Sequence, residues 1–284
     1  MAREQLLYAK GYIIMKKFLS MALALAMIFS FAAFASAEET LVLGTSADYP
    51  PFEFMYLDDA GEMVYGGIDV SAAGYIAEQM GKELVVENMS FDYLLVALAK
   101  GDYDIVMAAI EDTPERENAA DFSAPYYTDM PPMILIRAAD AEQYKTLNDF
   151  SGKAVGAQTA TTKEGIVTDS MPGAELVSIQ NVNDLVNQLV YNKLDAVVLD
   201  GAVATNFVAA NSDLAIADAS AELGAAAPYC VAVAKGDPKG LLPEINAAIA
   251  KMLEEKAMDA FVEEANAIND AGNAIEVSVD APEA

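Results

Sequence analysis

Short aliphatic and β-branched runs alternate in this chain with stretches that are apolar at helical spacing, and the series occurs twice. In the first series "TLVLGTS" (40–46), "ELVVENM" (83–89) and "YDIVMAAI" (103–110) read as strands. Between them "IDVSAAGYIAEQMGK" (68–82) carries Val70, Ala73, Tyr75, Ile76 and Met80 at helical spacing and stops at Gly81. "FDYLLVALAKGD" (91–102) is a shorter helix ending at Gly101, and 49–67 reads as two extended pieces around a turn at Asp58-Asp59-Ala60-Gly61. The second series begins with the strand "PPMILIRAA" (131–139). The strands "GKAVGAQ", "AELVSI" and "DAVVLD" then each precede a helix, over 159–171, 181–194 and 201–211. "PYCVAVAKGD" (228–237) is one more strand, and 241–268 is helical with a break near Lys256. Strand–helix alternation predicts an α/β fold, each sheet mainly parallel and covered by helices. Two series meeting near Tyr126 and Tyr127 predict two lobes.

Open α/β sheets bind ligands beyond the carboxyl ends of their strands. Those ends carry Ser46-Ala47-Asp48-Tyr49, Ala109-Ile110-Glu111, Gln158 through Thr161 and Thr162, and Asp200, which can face one cleft.

Composition narrows the ligand. With 44 acidic residues against 16 basic ones the chain has a formal net charge of −28, which argues against nucleic acid, whose phosphates need a basic patch. There is no histidine, no G-x-S-x-G elbow and no phosphate-binding loop, so the usual general base and common nucleophile motifs are missing. Asp58 to Glu62 lacks the alternating ligands of a calcium loop and reads as a hairpin turn. The single cysteine, Cys230, sits in the apolar run "YCVAVA" and is expected to be a buried thiol.

The N-terminus predicts the compartment. Met15 to Glu39 has two lysines, a long apolar run and Ala35-Ser36-Ala37, the layout of a secretory signal cleaved after Ala37. An uncleaved anchor is the alternative, because 18–35 is long enough for a tilted span. Residues 1–14 read as an upstream extension, and no cysteine follows the apolar run to take a lipid. The last residues, from about Asn269, read as a poorly ordered tail.

Several residues carry two readings each. Arg116, one of three arginines, offers a planar fork for a carboxylate, or a local ion pair with Glu115, Glu117 or Asp121. The turn holding Thr161 and Thr162 suits an anion at a helix start, or plain capping by Thr159 or Thr161. Asp200 is a seat for an ammonium or the N-cap of the next helix. Tyr49 and Phe91 are candidate walls of a ligand slot, Phe52 and Phe54 are expected in the core, and Glu53 in a buried hydrogen-bonding role.

"GTSADYPPFEF", "GGIDVSAAGYIAEQMGK", "TPERENAADFSAPYY", "GKAVGAQTATTKEG" and "LDAVVLD" resemble, in order over about 40–262, the periplasmic amino-acid-binding proteins of ABC importers. The polar amino-acid type is the nearest likeness. The resemblance implies a type II periplasmic-binding-protein fold whose two lobes close on the ligand, with crossings near 124–129 and 223–229. Lobe one would be 38–125 plus 228–284 and lobe two 126–227. It implies that Arg116 grips the ligand carboxylate, helped by the N–H groups of Thr161 and Thr162. Asp200, with the carbonyl of Ala109, would take the ammonium, and Tyr49 and Phe91 would flank the side chain. It further implies a monomer without cofactor that delivers a free amino acid to a membrane permease. The sequence departs from the pattern at Ser46, where the family often has Asp, at Glu111, where Ser or Thr is common, and at Ala109, in place of Gly. Extra negative charge at Asp48 and Glu111 favours a polar or cationic amino acid. The same scaffold hosts exported dehydratases, for which Glu111 could be the proton donor, and ligand sensors for signalling partners.

Overall fold

The computed structural model describes residues 39–270 and 274–275. The expected signal over 1–37 lies outside the described residues, as does the chain beyond 275.

From the N-terminus, β1 (Thr40–Thr45) leads into a small antiparallel group of β2 (Asp48–Tyr49), β3 (Glu53–Leu57) and β4 (Met63–Gly66). The β3–β4 turn is the expected one. Asp58 Oδ1 accepts the N–H groups of Ala60 and Glu62, and Gly61 has a φ of 78°, the left-handed conformation glycine adopts without cost. Next come α1 (Ile68–Gln79), β5 (Glu83–Asn88), α2 (Phe91–Lys100), β6 (Ile105–Val106) and β7 (Ala120–Phe122). Gly101 closes α2 in the left-handed conformation, φ 87°.

β8 (Tyr127–Thr128) passes into the second series. This comprises β9 (Met133–Arg137), β10 (Ala154–Gln158), α3 (Thr162–Gly165), β11 (Glu175–Ile179), α4 (Val182–Val190), β12 (Ala196–Leu199), α5 (Gly201–Ala210) and β13 (Leu214–Ile216). The helix expected over 159–171 holds α-geometry only through α3 and widens into a π-turn over Ile166–Ser170. β14 (Pro228–Tyr229) returns antiparallel to β8, and β15 (Ala232–Ala234) rejoins the first sheet. The chain finishes with α6 (Leu242–Glu254), α7 (Ala257–Asp270) and β16 (Ala274–Ile275). The helix break falls at Lys256, φ 56°, as expected. The expected tail is ordered further than the sequence indicates: Asn269 is still helical and β16 pairs antiparallel with β3, a partner far away in sequence.

The strands form two five-stranded sheets, ordered β5-β1-β6-β15-β7 and β11-β10-β12-β9-β13. In each, three neighbouring strands are parallel and the return strands make the sheet mixed. The pair β8–β14 runs between them, which is the two-lobed, twice-crossed architecture of a type II periplasmic binding protein.

Helix faces bury at the spacing the sequence sets. Ile68, Ala72, Ala73 and Ile76 of α1 pack with Leu41 and Leu43 of β1, while Leu94 and Leu98 of α2 pack with Val106. Leu185 and Leu189 of α4 pack in the same core as Leu135 and Val197, and Val155, Ile134 and Phe150 form a core on the opposite face of that sheet. Each buried Leu, Ile, Val or Phe among them contributes about 1.5–3 kcal/mol on full burial, and each alanine less. Phe52 and Phe54 are core residues as expected.

Two strands are shorter than their apolar runs. β6 stops at Val106 because the chain turns at Ala109 (φ 46°), whose N–H goes to Asp69 Oδ2 at 2.7 Å instead of to a neighbouring strand. The run 228–237 splits between β14 and β15, because the Cys230 N–H goes to the Ile110 carbonyl and the Val231 N–H to Ser123 Oγ.

Candidate functional site

The strand ends named from sequence converge between the two sheets. The carboxyl end of β1 supplies Ser46, Asp48 and Tyr49, and the segment after β6 supplies Ala109, Glu111 and Arg116. From the other sheet, the end of β10 supplies Gln158, Thr161 and Thr162, and the end of β12 supplies Asp200.

Arg116 and Asp200 stand at opposite ends of a buried string of charges. Arg116 Nη1 bonds Glu111 Oε2 at 2.7 Å and the Glu111 carbonyl at 3.0 Å. Its Nη2 donates across to the Ala160 carbonyl at 3.1 Å, and the guanidinium carbon lies 5.2 Å from the centre of the Phe91 ring, a cation–π distance. Glu111 Oε1 accepts from Lys163 Nζ at 2.7 Å and from Thr162 Oγ1 at 2.8 Å. Lys163 Nζ also reaches Asp200 Oδ1 at 2.6 Å. Asp200 Oδ2 takes the Tyr49 hydroxyl at 2.7 Å. The local ion pairs of Arg116 with Glu115, Glu117 or Asp121 are not what forms: Glu111 takes the guanidinium, and Asp121 takes Lys235. Asp200 does stand at the N-cap of α5, yet its carboxylate makes no cap bond, both oxygens being engaged in the cleft.

The remaining candidates brace these groups. Ser46 Oγ donates to Asp48 Oδ1 at 3.0 Å, and Asp48 Oδ2 accepts the Val182 N–H of the other half at 2.9 Å. Gln158 donates to the Gln180 carbonyl at 3.0 Å, and its own carbonyl receives Thr161 Oγ1 at 2.7 Å. Thr161 is the N-cap residue of α3 but its side chain makes no cap bond, so the first-turn N–H groups are not closed off by it.

Electrostatics follow from burial. Burial alone would raise the Glu111 carboxyl, but Lys163 and Arg116 together outweigh it and pull it down to about 2. Burial likewise disfavours the Lys163 ammonium, and Asp200 and Glu111 more than offset that, holding it above its ordinary value. Asp48 has no such cation, so burial dominates and its carboxyl is pushed up to about 6. Glu53, buried with Asp69, Asp48 and Asp200 around it, is pushed well above the carboxylate range. Glu53 is buried as expected, and its Oε2 makes no hydrogen bond.

Lys163 is the residue sequence reasoning missed. It is 5% exposed and joins Glu111 to Asp200. One signal was available: a lysine in the first turn of a helix opposes the helix dipole, so it needs some other partner to hold it there. The space enclosed by Tyr49, Phe91, Ala109, Glu111, Lys163 and Asp200 is about 10 Å³, filled by the protein's own side chains. A far larger cavity, about 750 Å³, opens beside it and shares Phe91 and Thr161 as walls, with Arg116 and Thr162 also on its lining.

Two hinged α/β halves with opposite charges at their facing strand ends define a cleft-binding protein of the type II periplasmic class. The chain belongs to the bacterial extracellular solute-binding proteins, family 3, whose model matches residues 41–265. It is 32% identical over 229 residues to the ABC transporter arginine-binding protein 1 of Escherichia coli, covering 79% of this chain and 90% of that one. It is 33% identical over 220 residues to the arginine-binding extracellular protein ArtP of Bacillus subtilis, covering 73% and 83%. Among solved structures, a substrate-binding protein of an amino acid ABC transporter from Streptococcus pneumoniae, bound to L-arginine, superposes with a TM-score of 0.75 at 35% identity, over 84% of this chain and 95% of that one. These relatives are binding proteins. Among the described residues no helix is long and apolar enough to cross a membrane.

Proposed function

We propose that the protein is an exported receptor that captures a free amino acid, a polar or cationic one preferred, and delivers it to an ABC permease. The observation that carries this is the placement of Arg116 and Asp200, cation and anion, from opposite sheets at the two ends of one buried string of contacts. The Arg116 fork takes the ligand carboxylate, with the N–H groups of Thr161 and Thr162. Asp200 and the Ala109 carbonyl take the ammonium, and Tyr49 and Phe91 flank the side chain. The arginine named for the relatives above supports a cationic or polar ligand. The acids expected from sequence to add to this do not, since Glu111 is matched by Arg116 and Lys163, and Asp48 by Ser46 and the Val182 N–H.

Lobe one comprises 38–125 and 228–284, and lobe two 126–227, with β8 and β14 as the crossings. Ligand contacts to both lobes drive closure, since only differential affinity shifts such a balance. The protein works as a monomer, and the segment 1–37 directs export and is removed after Ala37.

The dehydratase reading has less support. Its proton donor would be Glu111, and two cations hold that carboxyl down at about 2, the wrong direction for an acid at neutral pH. The test is a thermal-shift screen of the twenty amino acids, because a ligand that binds only the native state raises its melting temperature. A clear rise is expected with arginine or another polar or cationic amino acid, and recovery of that compound unchanged separates receptor from enzyme. No shift with any amino acid would contradict the proposal.

A further inference from the structure

The two seats assigned above to an amino acid are each already matched by a group of the protein's own. Arg116 holds a carboxylate, Glu111 Oε2, at 2.7 Å. Asp200 holds an ammonium, Lys163 Nζ, at 2.6 Å. That carboxylate and that ammonium also hold one another, Glu111 Oε1 to Lys163 Nζ at 2.7 Å. Carboxylate and ammonium, joined and lodged between Arg116 and Asp200, reproduce the charge sequence of a free amino acid's head group. The space left around them, about 10 Å³, is about what a single water needs, roughly 10–15 Å³ on the same measure, so no head group fits beside them.

We propose that the Glu111–Lys163 pair is a built-in competitor for the ligand's head group, and that binding is an exchange. The incoming carboxylate replaces Glu111 at Arg116, the incoming ammonium replaces Lys163 at Asp200, and Glu111 and Lys163 remain paired with each other. This rests on the reading that Arg116 and Asp200 take the two ends of an amino acid.

Charge balance favours the exchange. Stranding one buried charge is costly, whereas here every charge has a partner before and after. The Lys163 stem is long and flexible, and Thr161 and Thr162 beside it line the cavity of about 750 Å³ into which the pair can withdraw. A compound with only one of the two head-group charges cannot complete the exchange without stranding a charge of the protein. The pair therefore lowers affinity for every amino acid while sharpening the demand for a zwitterion, because only molecules with the seats freed bind.

The experiment compares wild type with Glu111→Gln/Lys163→Met, which removes both charges at nearly constant shape, and with Lys163→Met alone. Calorimetric titration uses L-arginine, L-histidine and L-glutamine as probes. The double variant is expected to bind at least tenfold tighter than wild type, and Lys163→Met to be tighter by a smaller factor, since Glu111 still occupies Arg116. Equal or weaker binding by the double variant overturns the proposal and leaves the amino-acid reading standing. If circular dichroism shows that the double variant does not fold, Lys163→Met decides in the same sense. Should neither these probes nor any other of the twenty amino acids bind any of the proteins, the amino-acid reading itself fails and the exchange falls with it.

Discussion

Tyr49 donates its hydroxyl to Asp200 Oδ2 at 2.7 Å across 151 positions of sequence, and the Tyr49 hydroxyl oxygen in turn accepts the Asp200 N–H at 3.2 Å. Burial first, then the Asp200 charge, keeps the phenol protonated by raising it well above its ordinary value. The contact fixes the orientation of the one carboxylate that ends the buried string. Tyr49→Phe leaves a carboxylate oxygen and a backbone N–H unmatched, and removing one partner of a buried hydrogen bond costs about 1–3 kcal/mol. Urea denaturation should show a loss of that size, with weaker ligand binding. Unchanged stability would mean that the bond is not maintained in solution.

The pH dependence of stability should have a maximum. Asp48 and Asp69 are raised to about 6, by burial first, while the N–H groups of Val182 and Ala109 pull them partly back. Between the ordinary carboxylate value of about 4 and this raised value the native state binds more protons than the unfolded one, so stability falls as pH rises through that window. Glu111, lowered to about 2, acts in the opposite sense: its contribution is present above the ordinary value and is lost as pH falls toward 2. Melting temperature should therefore peak near pH 4–5, by these signs about the window between the two sets. Asp69→Asn should flatten the arm above the peak, and a melting temperature that climbs steadily from pH 4 to pH 7 would contradict this.

Two backbone positions make opposite predictions. Gly67 has a φ of 118°, and a Cβ there would meet the Phe52 carbonyl oxygen at 2.2 Å, so Gly67→Ala should destabilise by about 2–4 kcal/mol. Ala109 already sits at a φ of 46°, where a methyl costs about 1–2 kcal/mol. Ala109→Gly relieves that cost and loses about 0.4–1 kcal/mol through the unfolded state, so it should be neutral to mildly stabilising. Denaturation midpoints check both, and the reverse order would refute them.

Cys230 is 2% exposed, and burial pushes its thiol up to about 11. The native protein should be inert to a thiol-specific reagent at neutral pH and react with one equivalent once unfolded in urea. Rapid labelling of the native protein would show that this strand junction opens.

Element order and the converging strand ends were legible in sequence because they depend on local periodicity and on the direction of parallel strands. The short β6 was not, since its apolar run continues past Val106 and only the distant Asp69 carboxylate draws the Ala109 N–H out of the sheet. β16 escaped for a similar reason: its partner β3 lies more than 200 positions earlier. Arg116 was legible as a fork without its partner, because Glu115, Glu117 and Asp121 are as near in sequence as Glu111, which is the one the fold turns toward it. Lys163 was hidden altogether. It reads as one more helix-start residue until the two halves are brought together and it meets Glu111 on one side and Asp200 on the other.

The central claim is that Arg116 and Asp200 hold the two ends of a free amino acid. The most direct measurement is calorimetric titration of wild type and Arg116→Ala with whichever amino acid raises the melting temperature most. Loss of the guanidinium should weaken binding by about 2–5 kcal/mol, the range for truncating one partner of a buried charged contact, so at least a ~30-fold rise in Kd. An Arg116→Ala protein that binds that amino acid as tightly as wild type would contradict the account.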